Sequence, residues 1–194
     1  MGAAEAGMLK TMDRCIANLA GKTVAEQVME GREQISRTAD KRRMAEWVKS
    51  AVGKLDAAVD EKTRFGIMEN CGRNCAEVNK TVIERAKARR GKYRSMEQFL
   101  KAEQEKPAKG TRLIREERVL YQVYTPHAFT RPMRCYCSLL RGLPAGEKIS
   151  RTYCHCAKGF VRKFWEEVLE RPVTVDLVQS AVSGADECKF AIHL

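Results

Sequence analysis

Two closely spaced cysteine pairs constrain this chain more than any other feature of its sequence. Cys135-Tyr-Cys137 comes first, a loop rich in glycine and proline follows, and Cys154-His-Cys156 comes after the loop. On an extended strand, side chains at positions i and i+2 point to the same face, so each pair would present two sulfurs on one side. The loop has the turn residues that fold the second pair back onto the first.

The spacing of these four thiols favours a metal site over disulfide bonds. On a strand, the two Cα atoms of one pair would lie roughly 6.5 Å apart, at the far edge of what a disulfide accepts. A tetrahedral zinc ion bridging two strands requires only that four sulfurs converge at about 2.3 Å. We therefore predict a zinc site formed by Cys135, Cys137, Cys154 and Cys156. Buried free thiols, one cross-strand disulfide and an iron–sulfur cluster are the alternatives.

A third pair, Cys71 and Cys75, is spaced by four residues. In a helix the two side chains share one face with Val78 and Val82, and they could simply extend an apolar stripe. Alternatively, they are further metal ligands or a dithiol. Gly72 beside Cys71 suggests the start of a helix, where amide dipoles would lower the pKa of a thiol.

Three other reactive side chains have a simpler interpretation. Cys15 lies inside the apolar stripe of the first predicted helix, and Cys188 lies on the apolar face of the last predicted strand, so both are expected in the core. His155 lies between two candidate ligands and would project from the opposite face of their strand. We predict that it faces solvent.

The composition and the apolar pattern of the chain predict its cellular compartment. It has 194 residues and eight cysteines, with 44% hydrophobic and 31% charged residues, which is typical of a globular protein. We find neither a signal-peptide pattern at the start nor a long apolar run, so we expect a cytoplasmic protein with no membrane partner. In that compartment, paired cysteines are more often metal ligands or reactive thiols than disulfides.

The net charge of +11 raises the question of a nucleic-acid partner. Basic residues are dense between Lys80 and Arg94, where Glu84 is the single acid. Aromatic residues that could stack on bases are nearly absent there apart from Tyr93. We interpret this stretch as the solvated end of a helix, with nucleic-acid binding as a lesser alternative.

The first half of the chain shows helical periodicity. Apolar spacing predicts a helix over residues 8–19, and Thr23-Val-Ala-Glu26 matches a capping box that would begin a short helix ending near Ile35. The clearest predicted helix covers 44–59, after a polar junction at 36–40, with Trp47 as a core anchor. Ser95 begins another capped helix, and residues 103–110 form a linker.

The second half alternates between strand and helix patterns. We predict strands over 118–125, closed by Pro126, and over 133–139, then a helix whose apolar face runs from Phe160 to Leu169 and ends before Pro172. Two further strands cover 173–182 and 187–194. The predicted fold class is α+β: a helical region (residues 1–105) packed on a β-β-α-β-β antiparallel sheet domain (residues 111–194), together forming one compact unit.

The order of elements in the second half, with its closing Gly184 and Cys188-Lys-Phe190 strand, resembles the vinyl-reductase-like small-molecule-binding domains. It also resembles the aminothiazoline-carboxylate hydrolase-like proteins. These resemblances cover about 117–194 and imply a ligand cavity beside the closing strand. Across the whole chain, the cysteine pattern resembles an uncharacterised bacterial and archaeal family of cysteine-rich proteins. Four clustered cysteines distinguish this chain from the hydrolase relatives.

These observations predict a zinc-binding protein with a small-molecule-binding or sensing domain. A closed four-thiolate zinc would be structural, because catalytic zinc keeps a position for water or substrate. One alternative is a metal- or thiol-dependent hydrolase or redox enzyme, in which Cys71 and Cys75 act beside the metal. The other alternative is an iron–sulfur protein, since thiolates bind iron as well as zinc. Enzyme activity, ligand identity and oligomeric state stay open at this point.

Overall fold

The computed structural model describes residues 3–35, 40–125 and 135–194, and it confirms the α+β fold class. Helices occupy the first half, and an antiparallel sheet lies in the second. None of the helices in the described ranges is long and apolar enough to cross a membrane. The helices of the first half are α1 (Ala3–Ala20), α2 (Lys22–Val28), α3 (Arg32–Ile35), α4 (Lys41–Ala58), α5 (Glu61–Val78), α6 (Lys80–Arg90) and α7 (Met96–Glu105).

The second half is built around a four-stranded antiparallel sheet in the order β1-β2-β4-β3. One long helix, α8, joins the two hairpin halves and packs on β3 and β4. The other face of α8 packs on α5, so α8 is a middle layer between the sheet and the helical half. The elements are β1 (Thr111–Glu116), β2 (Val119–Tyr124), α8 (His155–Leu169), β3 (Thr174–Gln179) and β4 (Cys188–His193).

One hydrophobic core joins the two halves of the chain. Leu55 from α4 and Ile67 from α5 belong to the same buried cluster as Trp165 from α8 and Phe190 from β4. The indole N–H of Trp165 donates a hydrogen bond of 2.7 Å to Gln122 on β2, which satisfies its one polar atom. Such a shared core ties the position of α5 to that of the sheet.

The helix starts show where local sequence signals decide the structure. Asp40 and Ser95 cap α4 and α7 through their side-chain oxygens, and Ser95 confirms the predicted start. The predicted capping box at Thr23 is wrong, because α2 already begins at Lys22 after Gly21. Gly21 has a φ of 91°, a left-handed conformation that glycine adopts without strain and that separates α1 from α2.

Two predicted apolar side chains lie elsewhere than expected. Leu19 was assigned to the buried stripe of α1 but is exposed near the end of that helix. Trp47 packs against the core only partly, and its indole N–H donates to the Glu30 carbonyl at 2.9 Å. By contrast, Met44 and Leu55 of α4 are buried as the helical spacing predicts.

The cysteine pairs do not lie on strands, so that part of the prediction is wrong. Cys135 and Cys137 are in irregular structure that leads into a short 3-10 turn, Ser138–Leu140. Cys154 ends a second 3-10 turn, Arg151–Cys154, and Cys156 belongs to the first turn of α8. Residues 126–134, with the predicted closing Pro126 and the start of the predicted strand 133–139, lie outside the described residues. So do residues 36–39, most of the predicted polar junction.

The strand that precedes β2 and pairs with it on the outer side of the sheet is β1, which the sequence did not predict. The register places Leu113 opposite Gln122 and Glu116 opposite Val119. The strand Thr111-Arg-Leu-Ile-Arg-Glu116 alternates between half-buried and exposed positions and has no fully buried residue. An edge strand of this kind has too few apolar residues to be distinguished from a polar loop.

Two glycines bring the backbones of α5 and α8 into direct contact. A Cβ atom added to Gly72 of α5 would lie 1.8 Å from the carbonyl oxygen of Cys156, and one added to Gly159 of α8 would lie 2.1 Å from the carbonyl oxygen of Glu69. Atoms cannot approach this closely, so each position accepts only glycine. The reciprocal arrangement fixes how α5 lies against the start of α8.

We expect Gly72→Ala to destabilise the protein by about 3 kcal/mol, because the added methyl group must push two backbones apart. Gly66→Ala is the matched control in the same helix: a Cβ at Gly66 meets nothing within 4 Å. Because alanine favours helix more than glycine does, this control should stabilise the protein by up to about 1 kcal/mol. Urea unfolding measures both free energies. Equal effects of the two substitutions would contradict the close contact.

Candidate metal centre and thiol cluster

The contact between α5 and α8 brings cysteines from distant parts of the chain together. Cys71 and Cys75 lie one residue before and three residues after Gly72, whose Cα faces the backbone of Cys156. The redox alternative requires the helix with Cys71 and Cys75 to pack against strands that carry the cysteine pairs, and the described cysteine pairs do not lie on strands. The contact is made with α8 instead of with a strand.

Cys137 is held beside this contact by a buried tyrosine. The hydroxyl of Tyr153 donates a hydrogen bond of 3.0 Å to the sulfur of Cys137, and the backbone N–H of Cys137 donates to the sulfur of Cys135 at 3.4 Å. Tyr153 precedes α8 in the chain, so this bond ties the first cysteine pair to the segment that carries the second. Tyr153 was not among the residues predicted from the sequence, because its bond to Cys137 joins residues 16 positions apart that meet only in the folded chain.

The loop with the first pair is also attached to the sheet. The hydroxyl of Tyr136, between the two cysteines, donates to the carbonyl of Gly110 at 2.6 Å. Its ring meets that of Tyr124 on β2 edge to face, with centroids 5.2 Å apart. These contacts attach the segment with Cys135 and Cys137 to the sheet.

Cys154 and Cys188 lie on a small polar network. The sulfur of Cys154 is 2.7 Å from the hydroxyl oxygen of Ser180, and the N–H of Ala181 donates to the sulfur of Cys188 at 3.4 Å. The prediction placed Cys188 with the apolar face of the last strand, and it does pack against the core. It also lies within electrostatic range of Cys154.

The four thiols of the predicted zinc site influence one another electrostatically. Burial, reinforced by the charge of Cys137, raises the pKa of Cys135 well above its ordinary value. Burial also raises the pKa of Cys156 well above the ordinary value, with contributions from Cys137, Cys75 and Cys154. Burial raises the pKa of Cys154 to about 12 and, against the hydrogen bond from Tyr153, raises that of Cys137. Without a bound cation these groups are therefore neutral thiols at pH 7.

The four cysteines influence one another, but their side chains are not arranged as a set of metal ligands in the described structure. Over residues 3–35, 40–125 and 135–194, no three His, Cys, Asp or Glu side chains are arranged so that they could hold a metal ion. A change of χ1 rotamer moves a cysteine sulfur without moving its backbone. Convergence on one ion would require such changes at several of the four cysteines.

The surroundings of Cys71 and Cys75 differ from those predicted from the sequence. Cys71 is in the middle of α5, which begins at Glu61, so the predicted helix start at Gly72 is wrong. The pKa of Cys71 is raised well above its ordinary value, first by the neighbouring thiol of Cys15 and then by burial. Burial and the charge of Cys137 raise the pKa of Cys75. Val78 and Val82, the rest of the proposed apolar stripe, are exposed.

His155 is buried, which contradicts the prediction that it faces solvent. Its ring stacks on Phe65 with centroids 3.6 Å apart, and its Nδ1 lies 3.4 Å from Oε1 of Glu69. Lys158 also contacts Glu69, at 2.7 Å. Among the described residues, Nε2 of His155 has no hydrogen-bond partner. The first turn of α8, with Cys154 and Cys156 on either side of His155, is thus fixed to α5.

Glu69 is the charged centre of this contact. Burial acts to raise the pKa of its carboxyl group, but hydrogen bonds from His155 and Lys158 and the charge of Lys158 outweigh burial and lower the pKa to about 2. The ionised form is therefore more stable in the folded protein than in the unfolded chain.

We expect Glu69→Gln to remove on the order of 3 kcal/mol of stability at pH 7. Because the folded pKa of about 2 is below the ordinary 4.5, this contribution is complete above pH 4.5 and is lost as the pH falls toward 2. The unfolding free energies of wild type and variant should therefore converge over that range. Glu77→Gln, which removes an exposed carboxylate of the same helix, should change stability by about 1 kcal/mol or less. A constant difference between wild type and Glu69→Gln across this pH range would contradict the assignment.

The basic stretch forms α6 and the turn after it. Part of its charge is neutralised by neighbouring carboxylates: Lys87 pairs with Glu167 at 3.3 Å and Arg89 pairs with Glu103 at 2.8 Å. Ile83 and Ala86 are its buried residues. This arrangement agrees with a solvated helix, and nucleic-acid binding stays a prediction.

Two surface clefts, of about 360 and 620 Å³, lie in the helical half, and no cysteine is among the residues that line them. Their walls come from α1 to α4 and the turns between those helices. The small-molecule cavity expected beside the closing strand therefore stays a prediction. The first cleft is lined by Asp13, Glu26, Met29, Gly31, Arg32, Glu33 and Gln34, and the second by Glu26, Gln27, Val28, Glu30, Lys54, Ala57 and Ala58.

Comparison with known proteins gives one family. A model described as a family of unknown function (DUF6144) matches residues 9–194, which include both halves of the fold and all eight cysteines. No curated protein matches the sequence.

Proposed function

We propose that this chain, which belongs to the family of unknown function DUF6144, is a metal-binding protein in which Cys135, Cys137, Cys154 and Cys156 hold one zinc ion. The observation that carries the proposal is the hydrogen bond from Tyr153 to Cys137, which joins the two cysteine pairs across the loop between them. The contact of α5 with α8 lies at the same region, since Gly72 packs against the backbone of Cys156.

The chemistry of the site favours a soft or borderline metal ion. Burial raises the pKa of all four thiols, so a bound dication would take the place of their protons. If all four thiolates bind, the zinc is tetrahedral and closed, which makes its role structural. A zinc ion bound there would link the segment with Cys135 and Cys137 to the start of α8.

Metal content of protein purified without oxygen tests this proposal. We expect about one zinc per chain and loss of the folded state on chelation. Cys156→Ser should lose most of the zinc, whereas Cys15→Ser, which removes a thiol outside the predicted ligands, should retain it. A stable protein without metal would contradict the proposal.

Zinc binding should also release protons. Because the four thiols have raised pKa values, the metal must displace about four protons per ion at pH 7, and the apparent affinity should rise steeply with pH. Calorimetric titration in buffers of different ionisation enthalpy measures the number released. Release of fewer than about two protons would exclude binding by the four thiols.

An iron–sulfur cluster is the second candidate, and the position of Cys75 favours it. Cys75 lies within electrostatic range of both Cys137 and Cys156, so more thiols surround the site than one zinc ion requires. Iron with equimolar sulfide and a broad visible absorption band would identify this alternative. If the protein is instead a hydrolase or a redox enzyme, the thiol of Cys75 would act as the nucleophile beside the metal.

For the sensing function, we propose that the protein binds a small molecule and that this binding changes the metal site. It is supported by the resemblance of the second half to small-molecule-binding domains and by the ββαββ arrangement of the sheet and α8. Ligand screening on the metal-loaded protein follows once the metal is identified.

A further inference from the structure

The sheet has two faces, and α8 packs on one of them. Trp165 of α8 bonds to Gln122 on that inner face, and Phe190, which pairs with Gln122 across the sheet, is completely buried. Because successive side chains of a strand point to opposite faces, every second residue belongs to the outer face. The outer face is formed by Arg112, Ile114 and Glu116 of β1, by Val119, Tyr121 and Val123 of β2, and by their pairing partners on β4 and β3.

The outer face is apolar where a solvated sheet is usually polar. An antiparallel sheet with one face in water alternates between apolar and polar residues along each strand. On β2, however, Val119, Tyr121 and Val123 of the outer face are all apolar, and Leu120 of the inner face is completely buried. On β1 the apolar surface continues at Ile114, which is 39% exposed. A strand that is apolar on both faces is typical of a sheet that is covered on both sides.

One end of the outer face carries a net positive charge. Arg112 of β1 and Lys189 of β4 both pair with Val123 of β2, so they lie in one row across the sheet. The guanidinium of Arg112 is 2.5 Å from the carboxylate of Glu187, and the ammonium of Lys189 is 4.0 Å from the ring centroid of Tyr121. Two cations and one anion leave one positive charge at this end.

The opposite end of the outer face is acidic. Glu116 is exposed and lies four residues after Arg112 on β1, which is about 13 Å along the strand. The turn that follows adds Glu117 and Arg118, whose charges cancel. Ile114 lies midway between the two charged residues of β1. The strand therefore presents opposite charges at equal distances on either side of an exposed apolar side chain.

We propose that the outer face is the interface of a homodimer, in which two copies of this chain pack sheet against sheet about a two-fold axis. The axis runs across the strands through Ile114 and Tyr121, which pair with each other in the register. Ile114 of each copy then meets Ile114 of the other, and the apolar side chains of β2 are removed from water. Sheets packed face to face lie about 10 Å apart.

The charges identify a second copy as the partner. Arg112 and Glu116 are each two residues from Ile114, so a two-fold axis through Ile114 places Arg112 of each copy against Glu116 of the other. This contact occurs twice, because both copies use the same surface. At the edge of the sheet, the exposed pair of His193 and Asp176, 2.8 Å apart, forms a polar rim of the kind that surrounds protein interfaces.

Sedimentation equilibrium of the full-length protein tests the association. Under reducing conditions, which prevent disulfide bonds between chains, we expect a dimer of twice the 22.0 kDa chain mass that dissociates on dilution. Ile114→Arg should weaken the dimer at least about 10-fold, since it places two cations beside the two-fold axis. A wild-type protein that stays monomeric at all concentrations, or an Ile114→Arg variant that dimerises as the wild type does, would overturn the proposal.

A charge swap tests how the two copies are oriented. Glu116→Arg and Arg112→Glu should each weaken the dimer by about 5-fold, because each brings like charges together, and the double variant should recover the wild-type dissociation constant. Such a recovery would also show that the substituted chains fold. Val82→Arg is the matched control, since Val82 is 50% exposed on α6, and it should leave the dimer unchanged. A double variant that dimerises no better than the single variants, or a control that dissociates the dimer as Ile114→Arg does, would contradict the proposed interface.

Discussion

The close approach of α5 and α8 is the constraint on which the rest of this structure depends. Gly72 and Gly159 each lie against a carbonyl group of the other helix, and no side chain fits between the backbones. Since α8 also packs on the sheet, this contact fixes the sheet relative to the whole helical half. The eight α-helices and the four strands of the described chain therefore share one core instead of forming two.

The same contact determines the environment of the thiols. It brings Cys71 and Cys75 of α5 to the segment with Cys154 and Cys156, and it buries most of these sulfurs where a negative charge is costly. A protein can accommodate so many buried thiols as neutral groups, as disulfides or as metal ligands.

The sequence predicted those parts of the fold that depend on local patterns. Helical spacing located α4 and the apolar face of α8, and alternation located β4, because each has a continuous buried stripe. It failed where the determining contact is distant in the chain. His155 is buried by Phe65 and Glu69, some ninety residues earlier, and Gly72 is required by Cys156. The strand β1 was not predicted, because it lies at the edge of the sheet and its side chains are only half-buried or exposed.

The zinc site stays a prediction, and the structure corrects the geometry expected for its four cysteines. The four cysteines are near one another, yet they approach from irregular structure and a helix start instead of two strands. The i, i+2 spacing indicated paired thiols, whereas the contacts that orient them come from Tyr153 and Ser180. Side chains of this kind can be recognised only when the fold is known, since nothing in their own spacing marks them.

X-ray absorption spectroscopy at the zinc edge, on protein purified without oxygen, tests the central claim most directly because it counts the atoms bound to the metal. The account predicts a single shell of about four sulfurs at about 2.3 Å. A shell dominated by nitrogen and oxygen at about 2.0 Å would contradict binding by the four cysteines.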